Sequence, residues 1–211
     1  ERIKAKEEEL KAVSEKIDVL AKSIYQERQK AIPILIKKLE RLLSNLGMEN
    51  TRFSIKIKHL NQYFHNGKDE LEFLISANKG ANFGELKKVA SGGEMSRIML
   101  SVKTILSEYL KLPTIIFDEI DTGVSGDVSQ KMAEIMKQMS ANMQVITITH
   151  LPQIAAKGKQ HYKVYKEDIN NNIVTNLKKL AENERIEEIA EMLGGKNITS
   201  TAIEHAKQLL N

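Results

Sequence analysis

Thr114-Ile115-Ile116-Phe117-Asp118-Glu119 and Val145-Ile146-Thr147-Ile148-Thr149-His150 are the two stretches whose reading decides the fold. Each is a short apolar run that ends in polar residues, as expected of a strand buried on both faces of a sheet. Between them Val128, Met132, Ile135, Met136 and Met139 recur at helical spacing. Strand, helix and strand joined by short connections make a βαβ unit, which predicts a parallel sheet with a right-handed crossover. An α/β protein is therefore expected.

Upstream of this unit, Ser91-Gly92-Gly93-Glu94 opens a long amphipathic helix marked by Met95, Ile98, Met99, Val102, Ile105, Leu106 and Tyr109. Before it the period changes to two. Phe53, Ile55 and Ile57, then Leu71, Phe73 and Ile75, alternate with polar residues on either side of a turn at Asn66-Gly67, which predicts antiparallel strands with one wet face. Residues 1 to about 30 are dense in Lys and Glu and carry a heptad stripe. Ile3, Leu10, Ile17 and Ile24 fill one position of it, with Val13 and Leu20 three residues on. Lys6 and Glu27 interrupt the seam, which leaves a solitary amphipathic helix as the alternative; a coiled coil is favoured because so narrow and long a stripe needs a partner to bury it. Pro33 should break or kink that helix. Beyond it Leu35, Leu39, Leu42, Leu43 and Leu46 form a wider face suited to docking, with Gly47 as the C-cap. The tail predicts a hairpin around Asn170-Asn171-Asn172, a helix over about 184–193 closed by Gly194-Gly195, and a last helix ending near Leu210.

Composition narrows the function classes. With 211 residues and 41% hydrophobic content the chain has room for a core, and no cysteine means no disulfide scaffold, thiolate metal site or cysteine nucleophile. Its 32 Lys+Arg against 28 Asp+Glu leave a net charge of +4, which permits nucleic-acid contact without arguing for it. The absence of Trp and an aromatic content of 5% speak against a base-stacking platform. No apolar stretch approaches the ~20 residues of a membrane span. The first residue is Glu inside an already periodic segment, which suggests a chain cut from something longer.

Three groups of residues carry chemistry. Asp118 and Glu119 follow a buried parallel strand, at the sheet edge where ligands bind, and as neighbours they point in different directions. In a nucleotide hydrolase the first would hold the water shell of Mg²⁺ and the second would orient or deprotonate the attacking water. Acids also end strands and cap helices for structural reasons alone. Gly92 and Gly93 allow close backbone approach to an anion, and the helix behind them favours a phosphate; a plain loop with an N-cap would read the same way. His150 closes the second strand, where a lone histidine is commonly a hydrogen-bonded loop residue.

Order and spacing join these three groups. Ser91-Gly92-Gly93-Glu94-Met95-Ser96-Arg97, then Phe117-Asp118-Glu119-Ile120-Asp121-Thr122-Gly123-Val124-Ser125-Gly126, then Thr149-His150-Leu151-Pro152-Gln153-Ile154-Ala155-Ala156 resemble the signature motif, Walker B strand, D-loop and switch histidine of ABC-type ATPase heads, and within them the RecN family of bacterial SMC-like DNA repair ATPases. The tail Arg185-Ile186-Glu187-Glu188-Ile189-Ala190-Glu191-Met192-Leu193-Gly194-Gly195 is similar too. The resemblance implies the C-terminal lobe of an ABC/SMC-type P-loop ATPase head, a parallel sheet with helices, preceded by a coiled-coil helix: residues 1–46 arm and docking helix, 47–211 head lobe. It implies ATP and Mg²⁺ as ligands. Asp118 would hold the metal through water, Glu119 would be the general base and His150 would contact the γ-phosphate. Ser91, Gly92, Gly93 and Glu94 would bind nucleotide held by a second head, and Asp121 would belong to the turn linking the two sites. The implied partners are DNA at double-strand break ends, the N-terminal lobe of the same protein and a second head in a homodimer, with no membrane, in a cytoplasmic, nucleoid-associated setting.

One departure limits what these residues can do alone. The Gly-x-x-x-x-Gly-Lys-[Ser/Thr] loop is absent, since Gly67-Lys68, Gly158-Lys159 and Gly195-Lys196 all lack the required glycine and hydroxyl partners. The family keeps that loop in its N-terminal lobe, so the chain is expected to be inactive by itself. The head of another ABC-type ATPase and an inert coiled-coil interaction module are the rival readings.

Overall fold

The Lys- and Glu-rich N-terminal stretch folds into one long helix, α1 (Arg2–Asn45). The computed structural model describes residues 2–124, 126–169 and 172–211. The chain divides into two compact units, residues 1–91 and 92–211. Of the break or kink expected at Pro33, the break does not occur: α1 runs through that residue. Proline removes one amide donor at a cost of about 3 kcal/mol. Downstream burial of Leu39 and Leu43, about 2 kcal/mol each, is enough to offset it. The stripe Ile3, Leu10, Val13, Ile17, Leu20 and Ile24 lies exposed along the helix. Gly47, with φ +76°, ends it in a Schellman turn, its own amide donating to the Ser44 carbonyl and that of Met48 to the Leu43 carbonyl.

Alternation of apolar and polar residues then yields β1 (Arg52–Phe64) and β2 (Gly67–Ser76), paired antiparallel with Phe53 opposite Ile75 and Ile55 opposite Phe73. A short β3 (Gly84–Glu85) pairs with β2 and leads into α2 (Leu86–Val89). The hairpin is fastened to α1 by polar contacts. Asp69, its side chain fully buried, accepts from Arg28 at 3.0 Å and lies 3.0 Å from His59 Nδ1. Asp18 meets Lys68 at 2.6 Å and the Tyr63 hydroxyl at 2.7 Å.

The second unit contains the βαβ element. After α3 (Gly92–Tyr109) come β4 (Thr114–Asp118), α4 (Asp127–Met139) and β5 (Gln144–Ile148), with β4 and β5 parallel and Ile115 opposite Val145. One expectation is corrected here: these strands are buried on one face only. Ile115 and Phe117 point into the core, whereas Ile116, Ile146 and Ile148 are 58%, 41% and 52% exposed. Strand residues alternate between faces. On one face α4 supplies Met132, Met136 and Met139 to the core, and the Thr147 hydroxyl donates to Met136 Sδ at 3.6 Å; the other face is bare among the described residues.

The chain continues through α5 (Pro152–Lys157), the antiparallel pair β6 (Tyr162–Ile169) and β7 (Asn172–Lys179), α6 (Glu182–Gly194) and α7 (Ser200–Leu210). The expected tail hairpin is present, with Ile169 opposite Asn172; Asn170 and Asn171 of its turn lie outside the described residues. Ala156, Ile189, Ala190 and Ala206 form a small core that joins α5, α6 and α7. Arg185 donates to the Ala156 carbonyl at 2.7 Å and to that of Gly158, and Lys163 pairs with Glu188 and with Glu191 at 3.0 Å.

Candidate active site

The end of β4 brings two carboxylates to the surface and turns the next one inward. Asp118 and Glu119 are exposed, and their side chains make no hydrogen bond or ion pair among the described residues. The Glu119 amide donates to the Ile148 carbonyl at 3.1 Å, extending the parallel ladder by one step. Its φ of +47° is the one positive value outside glycine among the described residues. This left-handed residue starts a turn in which the Glu119 carbonyl accepts from the Thr122 amide at 3.2 Å and from the Thr122 hydroxyl at 2.9 Å. The turn carries Ile120 and Asp121 into the interior, where Asp121 has no exposed surface.

Asp121 meets the end of β5. Its Oδ2 accepts a hydrogen bond from the Thr149 hydroxyl, and His150 Nδ1 stands 3.8 Å from the same oxygen. Thr149 in turn accepts the Leu151 amide at 2.9 Å. Among the described residues the Asp121 Oδ1 atom is buried without a partner, and the His150 side chain is 65% exposed.

The glycines that open α3 differ from one another. A Cβ on Gly93 would lie 3.1 Å from the Gly123 carbonyl oxygen and 3.6 Å from that of Thr122, so this first turn is packed on the backbone of the turn after β4. A Cβ on Gly92 would meet nothing within 4 Å. Ser91 directly precedes the helix and is exposed, and Glu94 lies in its first turn. Ser125, between Val124 and α4, lies outside the described residues.

The structure thus brings together Asp121, Thr149 and His150, and separately Gly93, Thr122 and Gly123. It forms no bond between His150 and either Asp118 or Glu119 among the described residues. Thr122 and Thr149 carry no role in the sequence reading; the available signal was a hydroxyl residue directly before a strand-ending histidine and another at the fourth position of an acidic turn. Among the described residues no three His, Asp or Glu side chains gather into a metal cage. A single exposed carboxylate such as Asp118 does fit Mg²⁺, which keeps several waters and takes one or two carboxylates alongside phosphate oxygens.

No protein-family model matches the chain. It is 38% identical to the DNA repair protein RecN of Halalkalibacterium halodurans, an alignment that covers 100% of this chain and 38% of that protein. It is also 38% identical to the DNA repair protein RecN of Bacillus subtilis, over 96% of this chain and 38% of that protein. The chain therefore spans less than two thirds of the length of these curated relatives. Among solved structures, the Smc head domain with a coiled coil and joint from Pyrococcus yayanosii matches with a TM-score of 0.61 at 20% identity, covering 90% of this chain and 36% of that one. A chain from work on ATP-driven dimerization and DNA-stimulated activation of SMC ATPases matches with a TM-score of 0.52 at 17% identity, covering 80% of this chain and 96% of that one. Identities this low speak for the fold alone. Over its whole length the chain is similar in sequence to part of the DNA repair protein RecN, and it has the fold of an SMC head domain.

Proposed function

We propose that this chain supplies the C-terminal half of an ATP-hydrolysing site in a DNA repair ATPase, with residues 1–46 as its coiled-coil arm and docking helix and 47–211 as its head lobe. The phosphate-cradling loop comes from an N-terminal lobe of the same protein, because no such loop exists in the 211 residues. Asp118 would hold Mg²⁺ through its water shell, and the ion when bound would supply positive charge against the phosphates. Glu119 takes a proton from the attacking water, and its exposed carboxylate is accessible to solvent for that purpose. His150 touches the γ-phosphate.

Ser91, Gly92, Gly93 and Glu94 face nucleotide held by a second head, and the open space over Gly92 leaves room for a phosphate to approach the first turn of α3. Asp121 belongs to the turn that links the two sites. Hydrolysis releases the engaged heads and couples them to DNA at double-strand break ends. The carrying observation is the turn after β4, which exposes Asp118 and Glu119 while sending Asp121 inward beside Thr149 and His150.

The test is Glu119→Gln in the full-length protein. ATP binding is expected to survive, turnover to fall by roughly 10²–10⁴-fold, and engaged dimers to accumulate. Turnover at the unsubstituted rate would sink the assignment of the base. Nucleotide binding by this chain with and without the N-terminal lobe separates the half-site from the inert coiled-coil module: rescue by the added lobe supports the former.

A further inference from the structure

Asp121 has one oxygen more than its neighbours satisfy. Its side chain is fully buried, Oδ2 takes the Thr149 hydroxyl, and Oδ1 has no partner among the described residues. A buried carboxylate is held in place by donors, and one left short of them needs a reason. The single ion-pair neighbour within 4.0 Å among the described residues is His150, with Nδ1 at 3.8 Å. That gap exceeds hydrogen-bond length, but the imidazole is 65% exposed and has room to turn toward the acid.

Thr149 fixes the direction of the contacts. Because its oxygen accepts the Leu151 amide, its own hydrogen goes to Asp121. The backbone is therefore tied on both sides of His150, and the acid faces the ring from within. From this geometry we infer that Asp121 is a positioning residue for His150. Its carboxylate holds the Nδ1–H tautomer, Thr149 holds the carboxylate, and Nε2 is left as the nitrogen that meets the ligand. The inference rests on the proposed role of His150 and adds what sets the orientation of its ring.

The test reads the tautomer directly, by long-range ¹⁵N–¹H correlation spectra of the histidine-labelled chain at pH 8, with His150→Gln identifying its signal among the 5 histidines. A free histidine side chain favours Nε2–H; here His150 is expected to be mainly Nδ1–H. Asp121→Asn and Thr149→Val are each expected to return it toward Nε2–H with the other histidine signals unmoved, and Thr149→Ser to retain Nδ1–H. An Nε2–H tautomer in the unsubstituted chain, or Nδ1–H persisting in folded Asp121→Asn, overturns the inference. In the full-length protein Asp121→Asn is expected to lower kcat roughly 10–100-fold with KM for ATP nearly unchanged. Unimpaired turnover by His150→Ala would instead remove the catalytic role beneath the inference, an outcome separate from the tautomer.

Discussion

Glu119 occupies a backbone conformation that suits glycine better than glutamate. At φ +47° a residue with a Cβ carries strain of about 1 kcal/mol or more, held here by the two bonds from Thr122 to its carbonyl. Glu119→Gly is therefore expected to raise the stability of the chain, by up to about 1 kcal/mol in denaturant unfolding, even though it deletes the proposed base. A loss of stability would show that the strain is absent. The adjacent glycines separate packing from ligand approach. Gly93→Ala places a methyl 3.1 Å from the Gly123 carbonyl oxygen and is expected to cost about 1–3 kcal/mol. Gly92→Ala enters open space and is expected to leave the melting temperature unchanged or slightly higher, while weakening ATP-dependent head association in the full-length protein. Melting curves of the two variants side by side check the contrast.

At the scale of elements, two contacts decide how helices hold their strands. In the first unit the β1–β2 hairpin is fastened to α1 through Asp69, which Arg28 and His59 approach from opposite elements. Arg28 is 25% exposed, so its charge is largely out of water once its partner is gone. Asp69→Ala is expected to cost about 3 kcal/mol in urea unfolding, the scale of a broken buried pair. In the second unit His161 precedes β6, and burial pushes its imidazole below the usual 6.5, with the nearby Arg185 and Lys163 charges acting in the same direction against Glu188. The folded state thus binds the proton less readily than the unfolded one. Stability should be level above about pH 6.5 and decline as pH falls below it toward the lower folded value. Unfolding curves between pH 8 and about 5.5 are expected to show that slope, and His161→Asn to remove it.

Across the whole molecule, what was legible in the sequence was whatever local pattern controls. The apolar runs ending at Asp118 and His150 marked β4 and β5, the helical spacing from Val128 to Met139 marked α4, and Gly47 and Gly195 closed their helices with positive φ. The order of the site residues along the chain was readable for the same reason. The burial of Asp121 and the part taken by Thr149 were not, since both arise where the turn after β4 meets the end of β5. Nor was the continuity of α1 through Pro33, which depends on docking downstream. Least legible was the bare outer face of β4 and β5, because an apolar run reads as two-sided burial whatever supplies the second side. That face gives the last prediction. Ile116, Ile146 and Ile148 present an apolar surface of the kind an added layer would cover, and under the proposed function the N-terminal lobe would be that layer. Ile116→Thr keeps a β-branched residue in the strand and removes apolar area. In this chain it is expected to change stability by less than about 0.5 kcal/mol. In the full-length protein the same change is expected to cost about 1–3 kcal/mol, because under that proposal the side chain would be buried there. Paired unfolding measurements on the two forms check it, and equal effects would mean that the lobe covers some other surface.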